Sequence, residues 1–417
     1  MIELIQVSFI NIVAKLLKFA FEIGTNYFVD KETYGFFAIL LSYILIYSRI
    51  ITFGIPNVML REFPKRINKS YTSYLLFNST IIIIFITIFS FMVIYSLNIK
   101  YLSLYINVPL IALSTALLAL YSSYLRSLGN IKLWIFFQDI GWYIYYFLGL
   151  AFLYFSSNSM INIDTILSIY TYAIVLSLLI VLLIVKFKYK LLLISKLSLK
   201  KLKYIYTNSF PVLFTGLTYL ILARIDVIML GNYIDIELVG EYNIIARISI
   251  QVLFFYQVLT AYFYPGLAKK FALKESNDDI AIYTTKFVLL SFLSVTSLSM
   301  VLFVLITYFN LFDTLGIIHQ EELFVVFLIF MGTQVIYSSI GFYGYILLYI
   351  HKQKIEYFNN VIILIVGILL NLLLIPIYGT IGAALASAAA ILLGNLLEML
   401  QVKYYTKYFY INVMRSR

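Results

Sequence analysis

Six basic residues interrupt stretches that are otherwise apolar: Lys15, Lys18, Arg49, Arg224, Arg247 and Lys286. In a bilayer each costs about 2.5–3.5 kcal/mol at a helix centre, so such residues face a cavity or a partner. At about 1.5 Å rise per residue, Lys18 and Arg49 fall near the middle of the first and second predicted spans, 8–28 and 34–58. Arg224 and Arg247 lie about 9 Å outward of the midpoints of spans 204–230 and 241–265. Lys286 stands at the inner end of span 281–308, from which its stem reaches the headgroups. Glu22 is four residues from Lys18 on one helix face and can neutralise it, or, less directly, Lys15. Arg224 and Asp226 are about 200° apart on an ideal helix, which argues against pairing and directs Asp226 to the outer interface. Glu22 alone cannot neutralise Lys15, Lys18, Arg49 and Arg247 together. Two readings stay open: pairing inside the protein, or a cavity with surplus positive charge that binds an anion. Glu22 and Asp226 are also the carboxylates that coupling to a proton or sodium ion would use.

The elements that must carry these charges are membrane helices. Hydrophobic residues make up 63% of the 417 and charged ones 12%, against about 25% charged in soluble chains. Lipid accepts that much apolar surface and a soluble core does not. The first apolar run lacks a cleavage site and carries charge, so it reads as a helix instead of a signal peptide. Twelve spans of about 20 residues fit between residues 8 and 401, giving an all-α polytopic membrane protein. The basic strip Lys186–Lys203 divides them into six and six, with lobes at 1–185 and 204–417 joined by the linker 186–203.

Charge orients the spans. With both termini cytoplasmic, the inner segments hold Arg61, Lys65, Arg66, Lys69, Arg126, Lys132, the central lysines, Lys269, Lys270, Lys274, Lys352, Lys354, Lys403, Lys407, Arg415 and Arg417. The outer loops hold Lys31 and Lys100 and many of the acids, including Asp235, Glu237, Glu321 and Glu322. That asymmetry is the positive-inside pattern of a cytoplasmic membrane protein. The net charge of +11 therefore faces anionic inner-leaflet lipid and does not imply nucleic acid. The halves echo each other: Glu32-Thr-Tyr-Gly35 and Val239-Gly-Glu-Tyr242 enter helices carrying Arg49 and Arg247, each followed by a proline, Pro56 and Pro265. Parallel repeats of this kind build transporters with a site between lobes.

Other chemistry is excluded or weak. Without cysteine there is no disulfide, thiol catalyst or cysteine metal site, and no phosphate-binding loop for ATP occurs. His319 and His351 read as solvated loop residues, as do the acid pairs Asp278-Asp279 and Asp235/Glu237. Gln138, Asp139 and Glu398 fall near inner helix ends and read as interfacial. The 38 Tyr and 35 Phe read as lipid-facing or packing residues.

The stretch Asn371-Leu-Leu-Leu-Ile-Pro-Ile-Tyr-Gly-Thr-Ile-Gly-Ala-Ala-Leu-Ala-Ser387 places Pro376 and Gly379 in an outer turn. Gly382, Ala386, Ala390 and Gly394 then recur every fourth residue, a spacing for close helix approach. The string resembles the signature of the bacterial polysaccharide repeat-unit (O-antigen/capsule) flippases of the multidrug/oligosaccharidyl-lipid/polysaccharide exporter superfamily. Ala223–Gly231 with Val239–Tyr242, and Tyr124–Asn130, are similar to that family's helix 7 to 8 segment and helix 4 exit. The resemblance implies two six-helix lobes in a V around a central, alternately exposed cavity. In the related lipid II flippases that cavity is basic on helices 1, 2 and 8, where this chain has Lys15, Lys18, Arg49 and Arg247. Twelve helices instead of fourteen favour the repeat-unit branch. The resemblance also implies that the chain is no enzyme and needs no cofactor beyond a coupling proton or sodium ion. Its expected activity is translocation of an undecaprenyl-pyrophosphate-linked oligosaccharide across the cytoplasmic membrane, alongside membrane lipids and other glycan-assembly membrane proteins. A cation-coupled multidrug exporter, and a membrane glycan polymerase or glycosyltransferase, are the rival expectations.

Overall fold

A computed structural model describes residues 2–63, 69–96, 107–157, 161–191, 195–341 and 343–407. Lys65, Arg66, Lys100, Arg415 and Arg417 of the charge pattern lie outside the described residues. The described chain is helical and has no strand. It divides into two compact units, residues 1–220 and 221–417.

The first unit contains α1 (Ile2–Gly24), α2 (Lys31–Thr52), α3 (Ile55–Glu62), α4 (Lys69–Ser96), α5 (Asn107–Ser127), α6 (Ile131–Asp139), α7 (Gly141–Ser157), α8 (Ile163–Leu183) and most of α9 (Leu199–Leu222). Asp30 caps α2 by accepting the Thr33 N–H at 2.7 Å, and Glu32 in the first turn complements the helix dipole. α2 lies against α5, which also packs on α8. Its Tyr34, Phe37, Ile39, Leu40, Leu41 and Ile44 are almost wholly buried. The Tyr34 hydroxyl donates to the Glu22 carbonyl at 2.6 Å, and the hydroxyls of Thr25 and Tyr146 bond at 3.0 Å. Phe21 meets the rings of Phe37, Trp142, Tyr143, Tyr146 and Tyr170, with centroids 4.8–5.9 Å apart. Many aromatic residues thus serve packing, as the sequence suggested.

Two residues break the second predicted span. Phe53 (φ 51°) and Gly54 (φ 68°) take left-handed conformations, and Pro56 opens α3. A Cβ at Gly54 would stand 2.9 Å from the Ser209 carbonyl oxygen and 3.0 Å from the Leu213 nitrogen, so glycine lets α9 rest on the break. For this reason α9 belongs with the first unit through residue 220, whereas a division at residue 203/204 would place it in the second. α9 bends by 40° between residues 210 and 212, where Pro211 removes a helix donor.

The second unit contains α10 (Ile225–Leu230), α11 (Ile236–Ile250), α12 (Phe254–Ala272), α13 (Asn277–Tyr308), α14 (Leu311–Thr314), α15 (Gln320–Ile340), α16 (Tyr343–Tyr349) and α17 (Gln353–Thr406). α17 is two helical arms hinged at Gly379 (φ 54°, ψ −127°). The turn uses Gly379 alone, since Pro376 remains within the first arm. Gly382, Ala386, Ala390 and Gly394 are buried. A Cβ at Gly394 would reach 3.1 Å from Ile363 Cγ1, and one at Gly367 would touch the Ala390 Cβ at 3.4 Å. The small-residue stripe therefore seals one arm against the other, as its spacing predicts.

Among the described residues, eight helices are long and apolar enough to cross a membrane, or nine with the bent α9 counted as one span. The sequence leads to twelve. α1 is not among the nine, the fifth predicted span is cut at Ile140 between α6 and α7, and the eleventh and twelfth run together as α17. The protein is a multi-pass membrane protein of all-α class.

Glu241 closes the start of α15. Its carboxylate is buried and accepts from the N–H groups of Ile318 (2.8 Å) and His319 (3.2 Å), with His319 Nδ1 at 3.1 Å. His319 is thus docked through Glu241, and is not simply a solvated loop residue. Glu241→Ala removes the acceptor from both amides and is expected to cost about 1.5–3 kcal/mol, the range for bonds to a charged group. A lower melting temperature of the detergent-purified protein, with faster amide exchange at Ile318 and His319, is the measurement that checks it.

Candidate functional site

Each unit carries an arginine one turn before a break in its helix. Arg49 lies in the last turn of α2, ahead of Phe53 and Gly54. Arg247 lies in the last turn of α11, ahead of the 3-10 turn Gln251–Leu253. A helix C-terminus carries partial negative charge and favours a cation by about 0.3–1 kcal/mol. The break therefore moves Arg49 from the middle of a continuous span, as expected from sequence, to a helix end that suits it.

Arg49 is half-buried. Its guanidinium lies across the backbone of Gly216 on α9, since a Cβ there would stand 2.6 Å from both Cζ and Nε. The Nε is buried without a hydrogen-bond partner, and the side chain forms no hydrogen bond or ion pair among the described residues. Gly216 holds open the space that the planar group occupies. An exposed-side cation with unfilled donors can take a carboxylate or phosphate in fork geometry.

Lys15 and Lys18 share α1, where Lys15 is half-buried and Lys18 exposed. Ala14 packs α1 against α6 through Ile135 and Ile140. Asp139, at the end of α6, is close enough to Lys18 to feel its charge. The acid near Lys18 is thus one that the sequence left at the interface. Glu22 is buried, and Lys18 has no hydrogen bond or ion pair with it. Lys286 is exposed on α13.

In the second unit Arg224, Asp226 and Arg247 are each buried. The chain breaks between α9 and α10 at Ala223 and Arg224, and Arg247 Nη2 donates to the freed Ala223 carbonyl at 3.2 Å. Arg247 Nε donates to Asn243 Oδ1 at 3.1 Å. Broken backbone is tolerated at membrane depth where protein supplies such partners. Asp226 does not face an outer interface. It is 5% exposed and accepts the Val227 N–H and the Tyr242 hydroxyl, each at 2.8 Å, with Ser387 Oγ at 3.5 Å. The correction follows from the break: the ideal-helix angle between residues 224 and 226 does not apply across a helix start.

The sequence reading takes Tyr242 and Ser387 only as parts of motifs and does not single out Asn243, so it misses the contacts of all three with Asp226 and Arg247. Asn243 is four residues before Arg247, so helical spacing was a usable signal. Ser387 comes from a distant arm, and no local pattern shows that it approaches Asp226. No group of three or more potential metal ligands occurs among the described residues.

The fold has known counterparts. A lipid II flippase, MurJ, in an inward closed conformation superposes with a TM-score of 0.72 at 15% identity, over 96% of this chain and 87% of that one. An inward-facing multidrug resistance MATE family transporter of the MOP superfamily gives 0.72 at 11% identity, over 94% and 96%. The MATE multidrug transporter DinF-BH gives 0.62 at 16% identity, over 98% and 96%. No curated protein matches the chain in sequence. These neighbours define the class: a membrane protein with the fold of the MOP-superfamily transporters. The model of the polysaccharide biosynthesis protein family matches residues 4–271, and the chain belongs to that family.

Proposed function

We propose that the chain is a flippase that moves an undecaprenyl-pyrophosphate-linked oligosaccharide repeat unit across the bacterial cytoplasmic membrane, for O-antigen- or capsule-type polysaccharide. Family membership supports the glycan pathway, and the fold supports translocation without covalent chemistry. The observation that carries the reading is Arg49, a cation on an apolar helix whose guanidinium has unfilled donors. In this proposal Arg49, with Lys15, Lys18, Arg224 and Arg247, supplies charge-assisted hydrogen bonds to the pyrophosphate. The prenyl chain stays in lipid while the two units alternate in exposing the site, with both termini in the cytoplasm. Glu22 and Asp226 are the proposed groups for a coupling proton or sodium ion.

The test is the sidedness of the lipid-linked intermediate in cells depleted of the protein. Accumulation on the cytoplasmic side, with loss of surface glycan, is the expected result. Drug hypersensitivity with intermediate and glycan unchanged would instead establish the second reading, a multidrug exporter, which the equal superposition on a MATE transporter keeps in play.

A further inference from the structure

A groove in the first unit is lined by none of the residues assigned to the pyrophosphate. It runs between α4 and the first half of α9, encloses about 620 Å³, and is lined by Phe53, Phe85, Ile86, Phe89 and Tyr206 with Lys203 as the charged member. That volume lies within the roughly 300–1,000 Å³ of small-molecule sites.

The walls are held in place. Asn78 on α4 donates to the Lys196 carbonyl and accepts from the Ser198 N–H, both at 3.0 Å, which ties α4 to the segment entering α9. Phe53, fixed by its left-handed backbone at the α2 break, stacks on Tyr206 with centroids 4.8 Å apart and planes 19° apart. Phe85 and Phe89 are 68% and 60% exposed along the open side. An apolar trough of this kind stays dry, and hydrocarbon is the filling that lipid offers.

Charge sets the head of that filling. Lys203 is exposed, and its ammonium forms no hydrogen bond or ion pair among the described residues. Its neighbour Lys201 is engaged, donating to the Tyr71 hydroxyl at 3.2 Å and lying 4.3 Å over the Tyr204 ring. Glu62, the acid beside this helix, accepts the Tyr204 hydroxyl at 3.0 Å. An unneutralised ammonium at the rim of an apolar trough matches an amphiphile with one anionic phosphate and one hydrocarbon chain in reach. We propose that this groove binds an anionic phospholipid, its acyl chain along Phe85, Ile86 and Phe89 and its phosphate on Lys203.

Native mass spectrometry of the full chain in detergent, with added phosphatidylglycerol or phosphatidylethanolamine of identical chains, tests this. The wild-type protein should retain phosphatidylglycerol about fivefold more, the factor that attraction to about one basic residue supplies. Lys203→Ala should abolish the preference, and Lys286→Ala should preserve it. Ile86→Trp should lower retention of both lipids by filling the trough, with thermal unfolding showing that the variant is folded. Equal retention by the wild-type protein, or an unchanged preference in Lys203→Ala, overturns the proposal. So does displacement of phosphatidylglycerol by a polyprenyl diphosphate in the wild type but not in Ile86→Trp, which would give the groove to a prenyl chain. Every arm is read on the isolated protein, so the outcome does not depend on whether the chain moves glycans.

Discussion

Arg49→Ala is expected to abolish surface glycan without lowering the amount or melting temperature of the protein in the membrane. Truncating one partner of a buried charge-assisted pair costs about 2–5 kcal/mol, which is about 30-fold or more in apparent affinity for the lipid-linked substrate. Stability should not follow, because the guanidinium has no protein partner to lose and its Nε is already unsatisfied. The dipole of the α2 end offsets only a fraction of its desolvation. Arg49→Lys keeps the charge but not the planar fork, and should recover part of the export. Gly216→Ala retains the arginine and moves it, since the colliding atoms belong to the flexible guanidinium. It should reduce export with the fold intact. Export assays and thermal unfolding of the same preparations separate the alternatives: a fall in melting temperature that parallels lost export would make Arg49 a structural residue.

Gly382→Ala is expected to be the most damaging single methyl in the second unit. Its Cβ would stand 2.6 Å from the Leu374 carbonyl carbon and overlap the carbonyl oxygen, and both are backbone atoms that cannot turn aside. The two arms of α17 would have to separate around Gly379, costing about 3 kcal/mol, the top of the overpacking range, or more. Gly332→Ala on α15 is the control, because nothing lies within 4 Å of its Cβ. Alanine there gains about 1 kcal/mol of helix propensity. Membrane abundance and melting temperature should fall sharply for the first variant and hold or rise for the second. Equal behaviour of the two would mean that the arms adjust at little cost.

The contrast between these glycines shows where reading the sequence stops. The small-residue stripe was legible as a helix-packing surface because its period is fixed by the α-helix. That Gly382 meets backbone, while Gly332 meets nothing, depends on the angle of the Gly379 turn. Asp226 gives the same lesson for the site. Its angle to Arg224 was sound for a continuous helix, but the break at Ala223 redirected the carboxylate to Tyr242 and Ser387. Arg49 was found by its type and position, whereas Gly216, which makes room for it, is one of 18 glycines with no local mark of that role.

By itself the sequence determined the solvent of this protein, its class and the identity of its unusual charges. Those follow from composition and from the energy of moving single side chains into lipid, which are properties of residues taken one at a time. Only the tertiary structure decided which charges keep a partner. Arg247 donates to Asn243 and to a freed carbonyl, while Arg49 rests on a glycine with its Nε unpartnered. That outcome belongs to pairs of distant segments, and it turns on helix breaks at Phe53–Gly54 and Ala223–Arg224 that hydrophobicity does not register.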